Sequence, residues 1–151
     1  MSSVHESLVE LRCAVAVVRR DAVLLLPRHD RGDWVLPGGR PRDHESVQSC
    51  AWRETLEETG LDVHPNRCGL VLEVNDAIAR RRIVELVFVA DESDVSGRLS
   101  RGSGRRPTWV SWEDLNRLTL RPPIGVFLPE LARRGGACYL GNMWRPERGG
   151  P

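Results

Sequence analysis

Glu54, Glu57 and Glu58 stand at spacings of three and four residues in the segment GRPRDHESVQSCAWRETLEETGL, residues 39–61. On a helix those spacings turn the three carboxylates to one side within about one turn. Asp43 and Glu45 bring two more acids into the same segment. Like charges so placed repel, at about 0.2–0.5 kcal/mol per pair. A hard divalent cation offsets that repulsion: Mg²⁺ takes oxygen ligands, commonly one or two carboxylates together with substrate phosphates. Such a set is a candidate site for a divalent cation held beside substrate phosphates. The competing reading is a solvated acidic helix face.

The flanking residues say which element would position these acids. Pro37, Gly38, Gly39 and Pro41 break regular structure ahead of them. Ser46 has the chemistry of an N-cap, Glu45 suits the positive end of a helix, and Gly60 is a stop signal. The segment therefore predicts a loop followed by a helix over Ser46 to Thr59. Val47, Cys50, Ala51, Trp52 and Leu56 are spread at helical intervals along it. Val47 and Ala51 share a face with Glu54 and Glu58, so half of that face packs and half lines a site.

The arrangement of Gly39, Glu45, Arg53-Glu54, Thr55-Leu56, Glu57-Glu58, Thr59, Gly60 and Leu61 resembles the Nudix box at every fixed position. Thr55 stands where that family usually has an aliphatic residue, and its methyl predicts only a small packing change. The lead-in Asp33-Trp34-Val35-Leu36-Pro37-Gly38-Gly39 and the later Arg106 to Leu115 are also similar to the family. The resemblance implies a single α/β domain over residues 1–151, a Nudix-type α/β/α sandwich with a mixed β-sheet between helices. It implies an enzyme that hydrolyses the pyrophosphate bond of a nucleoside diphosphate linked to another group, with Mg²⁺ as cofactor and Mn²⁺ as a substitute. By the motif, Glu54, Glu57 and Glu58 are metal ligands, with the Gly38 carbonyl as a further one. Glu54 or Glu57 is the general base. Arg53 pairs with Glu45 and orients the loop against the helix. A further acid outside the box is sought among Glu85, Asp91, Glu92 and Asp94. A non-catalytic nucleotide-sensing module of the same fold is the alternative, and such modules tend to lose the glutamate set.

Bulk composition narrows the partners. A chain of 151 residues with 40% hydrophobic content fits one domain with a real core. Net charge of +1 makes no global case for nucleic acid or membrane. All 22 basic residues are arginine, which suits phosphate but also suits codon bias. No signal peptide and no apolar run of about 18 residues is seen, so a cytoplasmic protein is expected. Cys13, Cys50, Cys68 and Cys138 lack a CxxC pair, predicting reduced and mostly buried thiols without a zinc site. A small nucleotide-type molecule is the expected partner, and a homodimer stays open.

Outside the box, Leu11–Val18 and Ala22–Leu26 predict a hairpin, and Cys68–Val74 with Ile83–Ala90 a second strand pair. Thr108–Trp112 predicts a strand, Glu113–Leu118 a short helix, Gly125–Arg134 a longer one, and Tyr139–Met143 a last strand or tail. Residues 1–10 and 145–151 are expected to be flexible ends. Arg28, Trp34 and Arg81 are the substrate-contact candidates. Arg80–Arg82 otherwise read as a surface turn, and the Arg98–Arg106 loop as solvated chain or as a substrate lid. Trp52 and Trp109 read as packing residues. Trp34, Trp112 and Trp144 read as packing residues or as base-stacking ones. His5, His29, His44 and His64 have no ligand spacing. Residues 77–79, where some subfamilies carry a Pro or Tyr marker, hold Ala77, Ile78 and Ala79. Nucleoside triphosphates, sugar nucleotides and ADP-ribose-like compounds therefore all stay open.

Overall fold

The computed structural model describes residues 5–28, 32–65, 67–102 and 104–145. His29, Ser103 and the end from Glu147 onward lie outside the described residues. The elements run β1 (Val9–Val18), β2 (Ala22–Pro27), β3 (Trp34–Val35), β4 (Gly38–Gly39), α1 (Val47–Thr59), β5 (Leu61–Val63), β6 (Arg67–Asp76) and β7 (Arg81–Asp91). After a 3₁₀ turn at Glu92–Asp94 come β8 (Val95–Gly97), β9 (Thr108–Ser111), α2 (Trp112–Leu115), a second 3₁₀ turn at Gly125–Phe127, α3 (Leu128–Leu131) and β10 (Cys138–Asn142). Eight strands form one mixed sheet in the order β10-β6-β7-β1-β2-β3, with β4 also on β1 and β9 also on β2. β1 runs parallel to β7 from Val9↔Arg82 to Val18↔Asp91, and β6 and β7 form an antiparallel hairpin. β5 and β8 make a separate two-stranded sheet.

Strand alternation sets the two cores. Successive side chains of a strand point to opposite faces. On β1, Cys13, Val15 and Val17 meet Cys50 and Ala51 of α1. Ala14, Ala16 and Val18 meet the other layer, with Leu115 of α2 and Leu128 and Leu131 of α3. Both faces of β1 are covered, which explains its unbroken apolar run CAVAVV. This is the α/β/α arrangement of helices on either side of a mixed sheet.

Several elements depart from expectation for identifiable reasons. Gly125–Arg134 is not one helix: Pro129 has no N–H to give the Gly125 carbonyl, which takes the Leu128 N–H instead. The strand at Thr108 ends at Ser111, whose hydroxyl accepts the Asp114 N–H at 3.1 Å and caps α2. Arg81 and Arg82 belong to β7, and the turn is Ala77 to Arg80, with Arg80 at φ 52°. There the Asp76 carboxylate accepts the Ile78 and Ala79 N–H groups at 3.0 Å, holding the turn without a glycine. β1 begins at Val9, inside the segment expected to be a flexible end. Of the four free thiols, Cys13 and Cys50 are buried and Cys68 is half-buried, but Cys138 on the edge strand β10 is exposed. Among the described residues no helix is long and apolar enough to cross a membrane.

Candidate active site

α1 is capped as its sequence predicts. The Ser46 hydroxyl accepts the Ser49 N–H at 3.1 Å, and Gly60 closes the helix at φ 78°, its N–H on the Leu56 carbonyl at 2.9 Å. Thr55 is fully buried, and its hydroxyl donates to the Ala51 carbonyl at 2.8 Å. A threonine is accommodated at this apolar position because its polar atom is satisfied within its own helix. Trp52 does not pack in the core: it is 38% exposed, donates to Asp62 at 2.7 Å and lies 4.5 Å from the His64 ring.

Arg53 knits the loop to the helix. Its Nε and Nη2 donate to the two Glu45 oxygens at 2.7 and 3.0 Å, a bidentate pair. Its Nη1 donates to Glu54 at 2.8 Å and to Glu57 at 3.3 Å, and Nη2 reaches the Arg40 carbonyl at 3.3 Å. The guanidinium, with help from the Arg42 N–H, holds the Glu45 carboxyl down at about 2. Gly39 lies against Glu54 so closely that a Cβ there would fall 2.4 Å from the carboxyl carbon.

The three box glutamates differ in environment. Glu57 is half-exposed at 51%, with Arg42 at 3.7 Å as its second cation. Glu58 is buried at 8% exposure and has both oxygens taken. Its Oε1 accepts the Gly38 N–H at 2.8 Å, and its Oε2 accepts from Arg105. Burial pushes the Glu58 carboxyl above its ordinary value, against the lowering effect of Gly38 and Arg105. Carboxylate oxygens are the hard donors that a Mg²⁺-type ion takes. Yet among the described residues no three Asp, Glu, His or Cys side chains converge closely enough to hold a cation. The donor chemistry fits a metal, and arginines hold the oxygens that a metal would use.

Beside Gly38 opens a cleft of about 750 Å³. It continues the β1, β6 and β7 stripe that packs on α2 and α3, at the end where the stripe turns charged. On β1 that stripe reads Val18, Ala16, Ala14 and then Arg12 and Glu10; on β7 it reads Val89, Val87 and then Glu85, Ile83 and Arg81. Arg12, Arg28, Arg40, Arg81, Arg105, Arg121 and Arg145 line the cleft. Acids hold most of them in place. Glu10 takes Arg40 and Arg81 at 3.0 Å each, Asp33 takes Arg28 and Arg121 at 3.5 Å each, and Glu85 takes Arg12 at 3.6 Å. Glu85 is buried, and burial raises its carboxyl pKa despite Arg12.

The sequence candidates divide accordingly. Arg28 and Arg81 line the cleft. Trp34 does not: its backbone is bonded to Thr119 and Arg121 at 2.8 Å, and its ring packs on the core of the α2–α3 face. Of the acids outside the box, Glu85 lies in the cleft, whereas Asp91 caps the Ser93 N–H and Glu92 pairs with Arg19 at 2.9 Å. Trp109 lies under Arg19, Trp112 packs on the core and donates to the Arg20 carbonyl at 3.3 Å, and Trp144 lines the cleft. His44 is exposed in a turn at φ 65°. Sequence reasoning passed over Arg12, Arg121 and Glu10, and it met Arg105 only as part of the Arg98–Arg106 loop. For Arg12 and Glu10 a signal existed: they continue the alternate-residue stripe of β1 with charge where apolar side chains are the rule.

The model of the NUDIX domain matches residues 10–131. The uncharacterized Nudix hydrolase YvcI of Bacillus subtilis is 30% identical over 131 residues, 84% of this chain and 82% of that protein. An 8-oxo-dGDP phosphatase of Danio rerio is 29% identical over 88% of this chain, which spans 39% of that longer protein. The mutator MutT protein of Bacillus halodurans has the same fold, with a TM-score of 0.72 over 86% of each chain at 23% identity.

Proposed function

The chain belongs to the Nudix family and is a hydrolase of it, and from that premise we propose that it is a Mg²⁺-dependent pyrophosphohydrolase of nucleoside diphosphate derivatives. The observation that carries this reading is a junction. The Gly38 N–H binds Glu58 of the box helix, and Gly38 is also a wall of the arginine-lined cleft. Phosphates lying among those arginines would sit next to the box carboxylates. Glu54, Glu57 and Glu58 would hold the cation, with the Gly38 carbonyl and Glu85 as further oxygen donors. A bound divalent cation neutralises phosphate charge and acidifies a bound water. Mn²⁺ presents similar chemistry and is the expected substitute.

The protein's own residues supply orientation and proton transfer. The cleft arginines are held by Glu10, Asp33 and Glu85, so they meet the phosphates in a set geometry. One of the three acids would serve as general base instead of as a ligand, and Glu57 is the one so placed: its carboxylate is half-exposed and has only longer ionic contacts, while Glu54 is held at 2.8 Å. Arg53 keeps the loop and helix in register through Glu45. The partner is thus a small nucleotide, and the working compartment is the cytoplasm, which suits four free thiols. The Danio rerio relative, an 8-oxo-dGDP phosphatase, supports including a nucleoside diphosphate with a damaged base beside nucleoside triphosphates, sugar nucleotides and ADP-ribose-like compounds.

Purified protein incubated with Mg²⁺ and a panel of these compounds, with products separated by chromatography, tests the reading. Glu57→Gln and Glu58→Gln are expected to lose Mg²⁺-dependent turnover by about 10²-fold or more while staying folded. Folded variants with wild-type turnover would overturn the assignment of the acids. Tight nucleotide binding without turnover on the whole panel would favour the sensing module.

A further inference from the structure

Arg105 holds a position that the proposed chemistry must vacate. Glu58 can serve a cation only with a lone pair and a favourable field, and here a guanidinium sits directly on Oε2. The Gly38 N–H on Oε1 is neutral and can stay. Arg105 is a full positive charge and cannot share that oxygen with a divalent cation. It has an alternative partner close at hand, since it also lines the arginine cleft where substrate phosphates would lie.

The chain around it is fixed on both sides. The Ser100 N–H donates to the Thr59 carbonyl at the end of α1 at 2.8 Å. A Cβ on Gly102 would lie 1.8 Å from the Glu57 carbonyl oxygen, so that segment is pressed on the helix. Three residues after Arg105, β9 begins at Thr108 and pairs with β2. Gly102 and Thr108 are thus anchored on either side of Arg105, and its long side chain can change partners without moving them. Unlike the other cleft arginines, Arg105 is held by a carboxylate of the box itself.

We propose that Arg105 is an exchangeable counter-ion: it neutralises Glu58 in the free protein and transfers to a substrate phosphate, releasing Glu58 to the cation. Arg105 is then a substrate contact and also the reason that cation and nucleotide bind together. The cation alone binds weakly, because it must displace a paired guanidinium. The nucleotide lifts that barrier, and the coupling is reciprocal. The inference rests on the proposed role of Glu58 as a cation ligand.

The test measures binding without turnover. Mn²⁺ alone is titrated into free wild-type protein, Arg105→Gln, Arg105→Lys and Glu58→Gln, by calorimetry or by the spin signal of unbound Mn²⁺. Arg105→Gln is expected to bind Mn²⁺ roughly 5-fold or more tightly than wild type. Arg105→Lys, which keeps the charge, should resemble wild type, and Glu58→Gln should bind most weakly. Inorganic pyrophosphate is then titrated in the presence of a chelator. Glu58→Gln frees Arg105 and should bind it more tightly than wild type, and the double variant Glu58→Gln/Arg105→Gln should lose that gain. Equal Mn²⁺ affinity in Arg105→Gln and wild type, with Glu58→Gln weakened, would overturn the exchange and leave the metal site standing. Unchanged Mn²⁺ binding in Glu58→Gln would overturn both. A gain in pyrophosphate affinity that survives in the double variant would also overturn the exchange, because simple loss of negative charge would then explain it.

Discussion

Glu45 contributes through Arg53, and pH reveals how. Its carboxyl titrates at about 2 in the fold against an ordinary 4.5, chiefly because Arg53 donates two hydrogen bonds to it. A carboxyl with a lowered folded pKa stabilises the protein fully above its unfolded value. That contribution is lost as pH falls from 4.5 toward about 2. Urea unfolding of wild type and Glu45→Gln at a series of pH values should therefore show a stability gap that is constant above 4.5 and closes toward 2. A gap that ignores pH would mean that Glu45 acts by shape alone. The pairing of Arg53 with Glu45 was legible because both lie in one short motif. The tethering of Arg12 by Glu85, or of Arg40 and Arg81 by Glu10, was not: these partners meet across strands or from distant loops. No local spacing announces such pairs.

The loop entering α1 works by close approach, which depends on absent side chains. Gly39 faces the end of the Glu54 side chain, and Gly38 faces the backbone of β1, 2.3 Å from the Cys13 carbonyl oxygen for an added Cβ. The difference matters, because a flexible carboxylate can give way and a sheet backbone cannot. Gly39→Ala should thus fold with little loss of thermal stability, yet push Glu54 out of place. A displacement of about 1 Å at a catalytic group costs roughly 10²-fold in kcat/KM. Wild-type kinetics in Gly39→Ala would show that the position of Glu54 is not critical. At this scale the helix was legible to within a residue at its start, since Ser46 and Gly60 are strong end signals. β3, β4, β5 and β8 were not, being two or three residues long and set by their partners rather than by their own pattern. The split of Gly125–Arg134 was written in Pro129, a residue whose missing N–H outweighs the apolar spacing around it.

Across the whole molecule, net charge conceals the arrangement of charge. The chain carries +1 overall, which makes no global case for nucleic acid or membrane. Among the described residues the fold gathers seven arginines around a cleft whose lining includes only Glu10, Asp76 and Glu85 as acids. Charge of one sign focused in a concave site draws an anionic ligand even when the protein is nearly neutral. That attraction is screened by salt, the screening length falling from about 10 Å at 0.1 M to about 3 Å at 1 M. The apolar cores on the two faces of the sheet feel no such screening. Raising NaCl over that range should therefore raise KM for a nucleotide substrate by about tenfold, with little change in the thermal midpoint. Single replacements of Arg28 or Arg121 by Gln should each reduce the salt dependence, because each removes a cleft charge from its Asp33 anchor. A KM that stays flat while salt rises would show that the arginines contact one another's acids and not the substrate. The cleft would then have to be assigned to something other than phosphate.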